Sequence, residues 1–142
     1  MVEVEGARAL AAACAFPVTD GMVVHTNTQK VREARKLVVE LLLANHPKNC
    51  LTCDRSQNCE LQELALEMGI HEVRFQGKKP NWPLDNTNPA IVRDQNKCVL
   101  GGRCVRICSE KQTVNVYTFA NRGFDSTVSP AFGKGLGQVK CT

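Results

Sequence analysis

The sequence has few aromatic residues and no long apolar run. Aromatic side chains make up 5% of its 142 residues, and the longest apolar stretch, residues 37–44, is interrupted by Glu40. A membrane-spanning helix needs roughly 20 apolar residues in succession, so we expect no membrane span. The net charge of +4 comes from 18 basic and 14 acidic residues dispersed along the chain. Nucleic-acid-binding proteins usually carry a clustered basic stripe, so we expect no nucleic-acid partner.

The N-terminus lacks the features of a secretory signal. It carries Glu3 and Glu5, a single basic residue, Arg8, and an apolar part that is too short for a signal peptide. We therefore expect a cytoplasmic protein. In the cytoplasm, clustered cysteines more often bind metal or carry out redox chemistry than form disulfides.

Hydrophobic periodicity predicts two helices in the first half of the chain. The first begins after the N-cap residue Thr28 and ends near His46, because Pro47 disfavours helix at the residue before it. Its predicted apolar face consists of Val31, Ala34, Leu37, Val38, Leu41 and Leu42, with Glu40 on the polar face. The second helix covers residues 60–68 and ends at Gly69.

The other predicted elements are short. Residues 76–90 contain three prolines and predict an irregular linker. The glycine-rich end of the chain predicts no regular structure. The remaining elements are strands at residues 2–4 and 22–25, a strand beginning at residues 91–92, a helix over residues 103–111, and a hairpin of residues 114–119 and 126–129.

Eight cysteines are the unusual feature of the composition, and six of them fall into two clusters. The first cluster, together with a histidine, has the pattern H-x3-C-x2-C-x5-C and consists of His46, Cys50, Cys53 and Cys59. It lies on a polar loop between the two predicted helices. Three thiolates and one imidazole suit either a tetrahedral zinc ion or the four corners of a [4Fe–4S] cluster. Spacing alone leaves both alternatives open.

A resemblance favours iron–sulfur. The segment ARKLVVELLLANHPKNCLTCDRSQNCELQELALEMGI resembles the iron–sulfur segment of two related groups: the large (G) subunit of respiratory NADH-quinone oxidoreductase and the large subunit of NAD(P)-linked [FeFe]-hydrogenases. In that family one histidine and three cysteines bind a [4Fe–4S] cluster. The resemblance implies the same role for His46, Cys50, Cys53 and Cys59.

The second cysteine cluster departs from the family pattern. The segment NKCVLGGRCVRICSEKQ resembles half of a two-cluster ferredoxin module, whose spacing is C-x2-C-x2-C-x3-C. Cys98, Cys104 and Cys108 match, but Gly101 occupies the position of the second cysteine and cannot bind iron. Cys141 resembles the first cysteine of the other half. Because both ligand sets are incomplete, we expect no cluster here, although a zinc site pooling the four cysteines is an alternative.

The first residues resemble the end of the family's [2Fe–2S] domain, a β-grasp ferredoxin. Cys14 matches its fourth cluster ligand. One ligand of four cannot hold that cluster, so we interpret Cys14 as a free thiol.

Together these features predict an α+β chain with four regions. Residues 1–27 are interpreted as a remnant of the β-grasp [2Fe–2S] domain, and residues 28–76 as a helical [4Fe–4S] domain. A linker, residues 77–90, leads to a truncated ferredoxin-type domain, residues 91–142.

The resemblance implies electron transfer through one [4Fe–4S] cluster, with other redox subunits of a hydrogenase or NADH dehydrogenase complex as partners. No catalytic domain is recognisable in the chain. Two alternatives are a zinc-stabilised structural or interaction module and a gene remnant that binds no metal.

Overall fold

A computed structural model describes residues 1–79 and 81–139 of the chain. The described residues form two compact units. Unit 1 consists of Met1–Leu43 and Thr52–Phe75, and unit 2 consists of Ala44–Leu51 and the chain from Gln76 onward. None of the helices described in these residues is long and apolar enough to cross a membrane.

Unit 1 begins with a small antiparallel sheet. Strand β1 (Glu3–Val4) pairs with strand β2 (Val24–His25), and Val4 lies opposite Val24. An isolated bridge joins Val2 to Ala11. The buried side chains of Val2, Val4 and Ala11 pack together, with Met22 against them. The two predicted strands of this region are therefore confirmed.

Helix α1 (Gln29–Asn45) follows, and its last two residues belong to unit 2. The Thr28 hydroxyl accepts a hydrogen bond from the Val31 N–H at 3.3 Å, which confirms the predicted N-cap. The predicted apolar face is only partly correct, because the buried helix residues are Val31, Val39, Glu40 and Ala44. Leu37, Val38 and Leu41 are exposed. Glu40 is covered because Arg74 neutralises its carboxylate within unit 1.

Helix α2 (Glu60–Glu67) buries Leu61 and ends as predicted. Gly69 adopts a left-handed conformation, with φ of 60°, and the Ile70 N–H donates to the Ala65 carbonyl at 2.9 Å. This pattern satisfies carbonyl groups that the end of a helix leaves without partners.

Unit 2 combines a short helix with a hairpin. Helix α3 (Arg103–Arg106) continues into a π-helical turn (Ile107–Lys111), over the span predicted as helix. Strand β3 (Tyr117–Ala120) pairs antiparallel with strand β4 (Thr127–Pro130), which confirms the predicted hairpin. The prediction of a strand beginning at residues 91–92 is wrong. In that segment the described pairing is a single bridge between Asp85 and Arg93.

The glycine-rich end of unit 2 is better ordered than the sequence predicts. It contains two 3-10 turns, Ala131–Gly133 and Leu136–Gln138, and the side chain of Leu136 is fully buried. The Leu136 N–H donates to the Asp85 carboxylate at 3.0 Å, and the Gly137 N–H donates to the Thr87 hydroxyl at 2.9 Å. These hydrogen bonds pin the segment to residues 85–87.

The mixed α+β class is confirmed in its coarse form, helices with small sheets. The finer description, a β-grasp remnant, a helical cluster domain and a ferredoxin-type module, stays a prediction. So do the boundaries between the four predicted regions.

Candidate metal centre

His46 directly follows α1 and is half-buried. Its Nδ1 atom is buried and has no hydrogen-bond partner. An unsatisfied buried polar atom costs about 1–3 kcal/mol, and buried polar groups in native proteins are nearly always satisfied. A ring nitrogen left in this state fits the chemistry of a metal ligand.

The surroundings of His46 favour its neutral form. Burial lowers the pKa of the imidazole below its ordinary value of 6.5, and the positive charge of Lys97 lowers it further. The negative charge of Asp94 acts in the opposite direction. A neutral imidazole offers a nitrogen lone pair to a metal, whereas a protonated one does not.

The end of α1 is held in place by unit 2. The Asn45 side chain donates to the Phe124 carbonyl at 2.9 Å and accepts from the Lys79 N–H at 3.0 Å. Gly77 passes so close that a Cβ atom there would lie 2.4 Å from the Ala44 carbonyl oxygen. These contacts fix the backbone immediately before His46.

Cys50, which belongs to unit 2 like His46, begins a 3-10 turn (Cys50–Thr52) and its thiol is exposed. The neighbouring Leu51 is 97% exposed, so no apolar packing covers this turn.

Cys53 and Cys59 belong to unit 1, and both thiols are half-buried. A tight turn lies between them, with Gln57 in the left-handed region at φ of 66°. Cys59 is the N-cap residue of α2, but its side chain makes no capping hydrogen bond. The sulfur atom is therefore available to another partner.

The four predicted ligands fit a [4Fe–4S] cluster by their chemistry, since three are free thiols and the fourth is an imidazole whose pKa is lowered by burial. They are not gathered into a metal site. Within residues 1–79 and 81–139, no three His, Cys, Asp or Glu side chains are grouped so that they could hold a metal ion. The ligand set His46, Cys50, Cys53 and Cys59 therefore stays a prediction from the sequence.

The cysteines of the ferredoxin-like segment have different surroundings. Cys108 is buried and its sulfur accepts a hydrogen bond from the Val116 N–H at 3.1 Å. Cys98 accepts one from the Leu100 N–H at 3.4 Å. Cys104 is exposed, and Cys141 lies outside the described residues. The expectation that these sites are incomplete stays a prediction, and the pooled zinc site stays an alternative to it.

Two other positions bear on the predicted sites. Gly101 has open space where a Cβ would project, so glycine is not required there for packing. Cys14 is exposed and carries a free thiol.

Sequence reasoning missed the two charged residues whose charges act on the pKa of His46. Lys97 and Asp94 are about fifty positions away along the chain, and no short motif links them to the histidine. Only the folded arrangement of unit 2 shows that their charges act on the imidazole.

Comparison with known proteins identifies the segment that carries the candidate ligands. Residues 35–74 match a family described as the NADH-ubiquinone oxidoreductase-G iron-sulfur binding region, which is a 4Fe-4S region. The whole chain is 46% identical to a segment of the NADP-reducing hydrogenase subunit HndD of Solidesulfovibrio fructosivorans, and it spans 24% of that relative's length. It is 37% identical over 129 residues, 91% of the chain, to the NADH-ubiquinone oxidoreductase 75 kDa subunit of Reclinomonas americana, and that match spans 19% of the relative.

A solved structure has a similar fold. The crystal structure of an NAD+-reducing [NiFe]-hydrogenase in the H2-reduced state aligns with a TM-score of 0.83 and 29% identity. The alignment covers 99% of this chain and 59% of that chain. The resemblance inferred from the sequence and the [4Fe–4S] cofactor it implied are thus confirmed, while the number of clusters stays a prediction.

Proposed function

We propose that this chain relays single electrons through one [4Fe–4S] cluster held by His46, Cys50, Cys53 and Cys59. The proposal is supported by the match of residues 35–74 to the iron–sulfur binding region of NADH-ubiquinone oxidoreductase G, and by the similarity of the whole chain to a segment of an NADP-reducing hydrogenase subunit. The observation that carries the ligand assignment is the buried Nδ1 atom of His46, which has no protein partner. A histidine that merely ended α1 would turn its nitrogens to solvent or to the backbone.

The protein's part in this function is to hold and tune the cofactor. A [4Fe–4S] cluster supplies a one-electron couple whose potential depends on its ligands, their hydrogen bonds and its exposure to solvent. The three cysteines would bind as thiolates, and His46 would bind as a neutral imidazole. The hydrogen bonds of Asn45 and the close approach of Gly77 to Ala44 would restrain the backbone that carries the histidine ligand.

The donor and acceptor of the electron are other redox subunits of a hydrogenase or NADH dehydrogenase complex. The relatives carry names of this kind, and the chain spans 24% or less of their lengths. We propose that the chain acts in a cytoplasmic complex of this kind and does not itself catalyse a reaction.

Reconstitution with iron and sulfide under anaerobic conditions tests the proposal. The intact chain should bind about four iron atoms and four acid-labile sulfides, giving a brown protein with broad absorption. A value near eight iron atoms would show that the ferredoxin-like segment also assembles a cluster. A colourless protein containing one zinc ion would overturn the iron–sulfur assignment in favour of a zinc module.

Two cysteine variants make the ligand assignment specific. Cys53→Ser should abolish the absorption and the bound iron, because serine replaces a thiolate ligand. Cys14→Ser is the matched control and should retain both, since Cys14 is an exposed free thiol. Equal loss from the two variants would contradict the proposed ligand set.

A further inference from the structure

A cavity of about 430 Å³ lies within unit 2, and none of the four candidate cluster ligands lines it. Its walls come from the segment 82–87, from residues 93 and 95, from the β3–β4 hairpin and from the turn at residues 133–135. Cavities that bind small molecules have volumes of roughly 300–1,000 Å³. This one therefore has the size of a small-molecule site.

One wall of the cavity carries an aromatic side chain whose backbone is fixed. Trp82 is 40% exposed, and Pro83 and Leu84 follow it in the same wall. The Asn96 side chain accepts from the Trp82 N–H at 2.7 Å and donates to the Trp82 carbonyl at 2.8 Å. Asn96 is itself held by Asp94 Oδ1, which accepts from its backbone N–H and its side-chain amide, each at 3.0 Å. A large ring surface that is held in place before binding loses little conformational entropy when a planar molecule packs on it.

The charged side chains that line the cavity leave an excess of one positive charge. Arg93 and Lys134 are cationic, and Asp85 is the one acidic residue of the lining. The Asp85 carboxylate is occupied by neighbouring donors, since it accepts from the Thr87 hydroxyl at 2.6 Å and from the Leu136 N–H at 3.0 Å. The two cations have no such second carboxylate in the lining, so the cavity favours an anionic group over a cationic one.

Arg93 is held in a fixed position at the cavity. It is half-buried, its Nη2 atom donates to the Val128 carbonyl, and its guanidinium lies 5.7 Å from the centroid of the Tyr117 ring. A guanidinium has more N–H groups than the contact with Val128 uses. The hydroxyl-bearing residues Thr127 and Ser129 line the same cavity from β4. Apolar ring surface together with a few polar groups is the usual lining of a small-molecule site.

We propose that this cavity binds a small aromatic molecule that carries one anionic group, a carboxylate or a phosphate. The ring packs on the Trp82 indole, and the anionic group pairs with Lys134 and Arg93. An arginine suits both kinds of anion, because its planar fork of donors matches carboxylate and phosphate oxygens. The inference goes beyond electron transfer and does not depend on the cluster, since the lining includes none of the proposed cluster ligands.

The fluorescence of Trp82 provides a direct test, because Trp82 is the single tryptophan of the chain. Benzoate added to the full chain should change this fluorescence saturably. Benzamide, which has the ring without the charge, and acetate, which has the charge without the ring, should bind much more weakly. Phenyl phosphate distinguishes the two anions: tighter binding than benzoate assigns the cavity to a phosphate, and weaker binding assigns it to a carboxylate.

Variants of exposed lysines test the site without disturbing the core. Lys134→Gln should raise the Kd for benzoate about fivefold, as expected for the loss of an exposed charge pair. Lys111→Gln is the matched control, because Lys111 is an exposed lysine of the same unit that does not line the cavity. It should leave the Kd unchanged. Saturation-transfer NMR of benzoate tests the ring contact, since Trp82→Phe should retain binding and Trp82→Leu should weaken it.

Three results would overturn the inference. The first is the absence of a saturable response to both benzoate and phenyl phosphate. The second is equal binding of benzoate and benzamide, which would mean that the cavity does not select an anion. The third is an equal Kd for benzoate in Lys134→Gln and Lys111→Gln, which would place the anion elsewhere. Should Trp82→Leu fail to fold, the lysine variants still decide, since Lys134 is exposed.

Discussion

Arg74 and Glu40 form an ion pair in which only the carboxylate is covered. The Glu40 side chain is 3% exposed, whereas that of Arg74 is 66% exposed. Arg74 Nε and Nη2 donate to Glu40 Oε2 at 3.0 Å and 2.5 Å, and hydrogen bonding to Glu40 raises the pKa of the guanidinium further. Glu40 lies on α1 and Arg74 follows α2, so within unit 1 the pair ties the end of the unit to its longest helix.

Although Arg74 is exposed, replacing it should destabilise unit 1 more than replacing an ordinary surface residue does. Arg74→Gln leaves a buried carboxylate without a counter-charge, which is far costlier than losing an exposed pair. Lys78→Gln is the control, because Lys78 and Asp125 pair in an exposed position and such pairs contribute at most about 1 kcal/mol. Thermal unfolding should show the lower midpoint for Arg74→Gln. The double variant Arg74→Gln/Glu40→Gln should regain part of the loss, and no recovery would argue against a charge effect.

Leu136 should be essential to the stability of unit 2. Leu136→Ala removes a fully buried side chain and should lower the free energy of unfolding by about 2–5 kcal/mol. Leu66 provides the matched control, since it is a largely exposed leucine whose replacement by alanine should have little effect. Urea denaturation of both variants measures the difference. Equal stabilities would mean that the glycine-rich end does not pack in solution.

Acid should weaken the hydrogen bond by which Asp85 holds the glycine-rich end of the chain. The Thr87 hydroxyl, which donates at 2.6 Å, lowers the pKa of Asp85 below its ordinary value of 3.8, and the Leu136 N–H adds to the effect. A carboxyl whose pKa is lower in the folded state stabilises the fold above its unfolded pKa. That stabilisation is lost as pH falls through the folded pKa. Unfolding free energies measured from pH 6 down to about pH 3 should therefore fall less steeply for Asp85→Asn than for the unaltered chain. Parallel curves would exclude Asp85 as the responsible group.

The identity of the nitrogen ligand should be visible in the cluster's potential. A neutral imidazole gives the cluster one less negative charge than a thiolate, so adding an electron is less opposed. His46→Cys should assemble a cluster with a lower reduction potential than that of the unaltered chain. Redox titration of both proteins at one pH measures the shift. An unchanged or higher potential would mean that His46 does not bind iron, or that ligand charge is not the dominant influence.

Local signals in the sequence predicted much of the fold. The hydroxyl of Thr28 and the left-handed Gly69 each act within a few residues, and the helix boundaries that they mark are confirmed. The burial of Glu40 and the order of the glycine-rich end around Leu136 were missed because both involve partners more than 30 positions away, Arg74 and Asp85. No periodicity within a window of ten or twenty residues can report such partners.

For the candidate site as well, local features could be predicted from the sequence and tertiary features could not. The spacing of His46, Cys50, Cys53 and Cys59 is a local property and could be identified directly from the sequence. The burial of His46 Nδ1, and the effect of the Lys97 and Asp94 charges on the pKa of His46, arise from tertiary structure. Sequence thus names the candidate ligands, and the folded chain adds the electrostatic surroundings of one of them.

Gly77 carries no chemistry of its own, yet it occupies space that no other residue type can share. A single methyl group at this position would collide with the Ala44 carbonyl oxygen at 2.4 Å and with Asn45 Cα at 2.9 Å. The collision would displace backbone, which cannot yield as a flexible side chain can. Under the proposed function, a genetic screen for broken electron flow would therefore recover Gly77→Ala beside substitutions of the ligands themselves, as a defect caused by bulk alone.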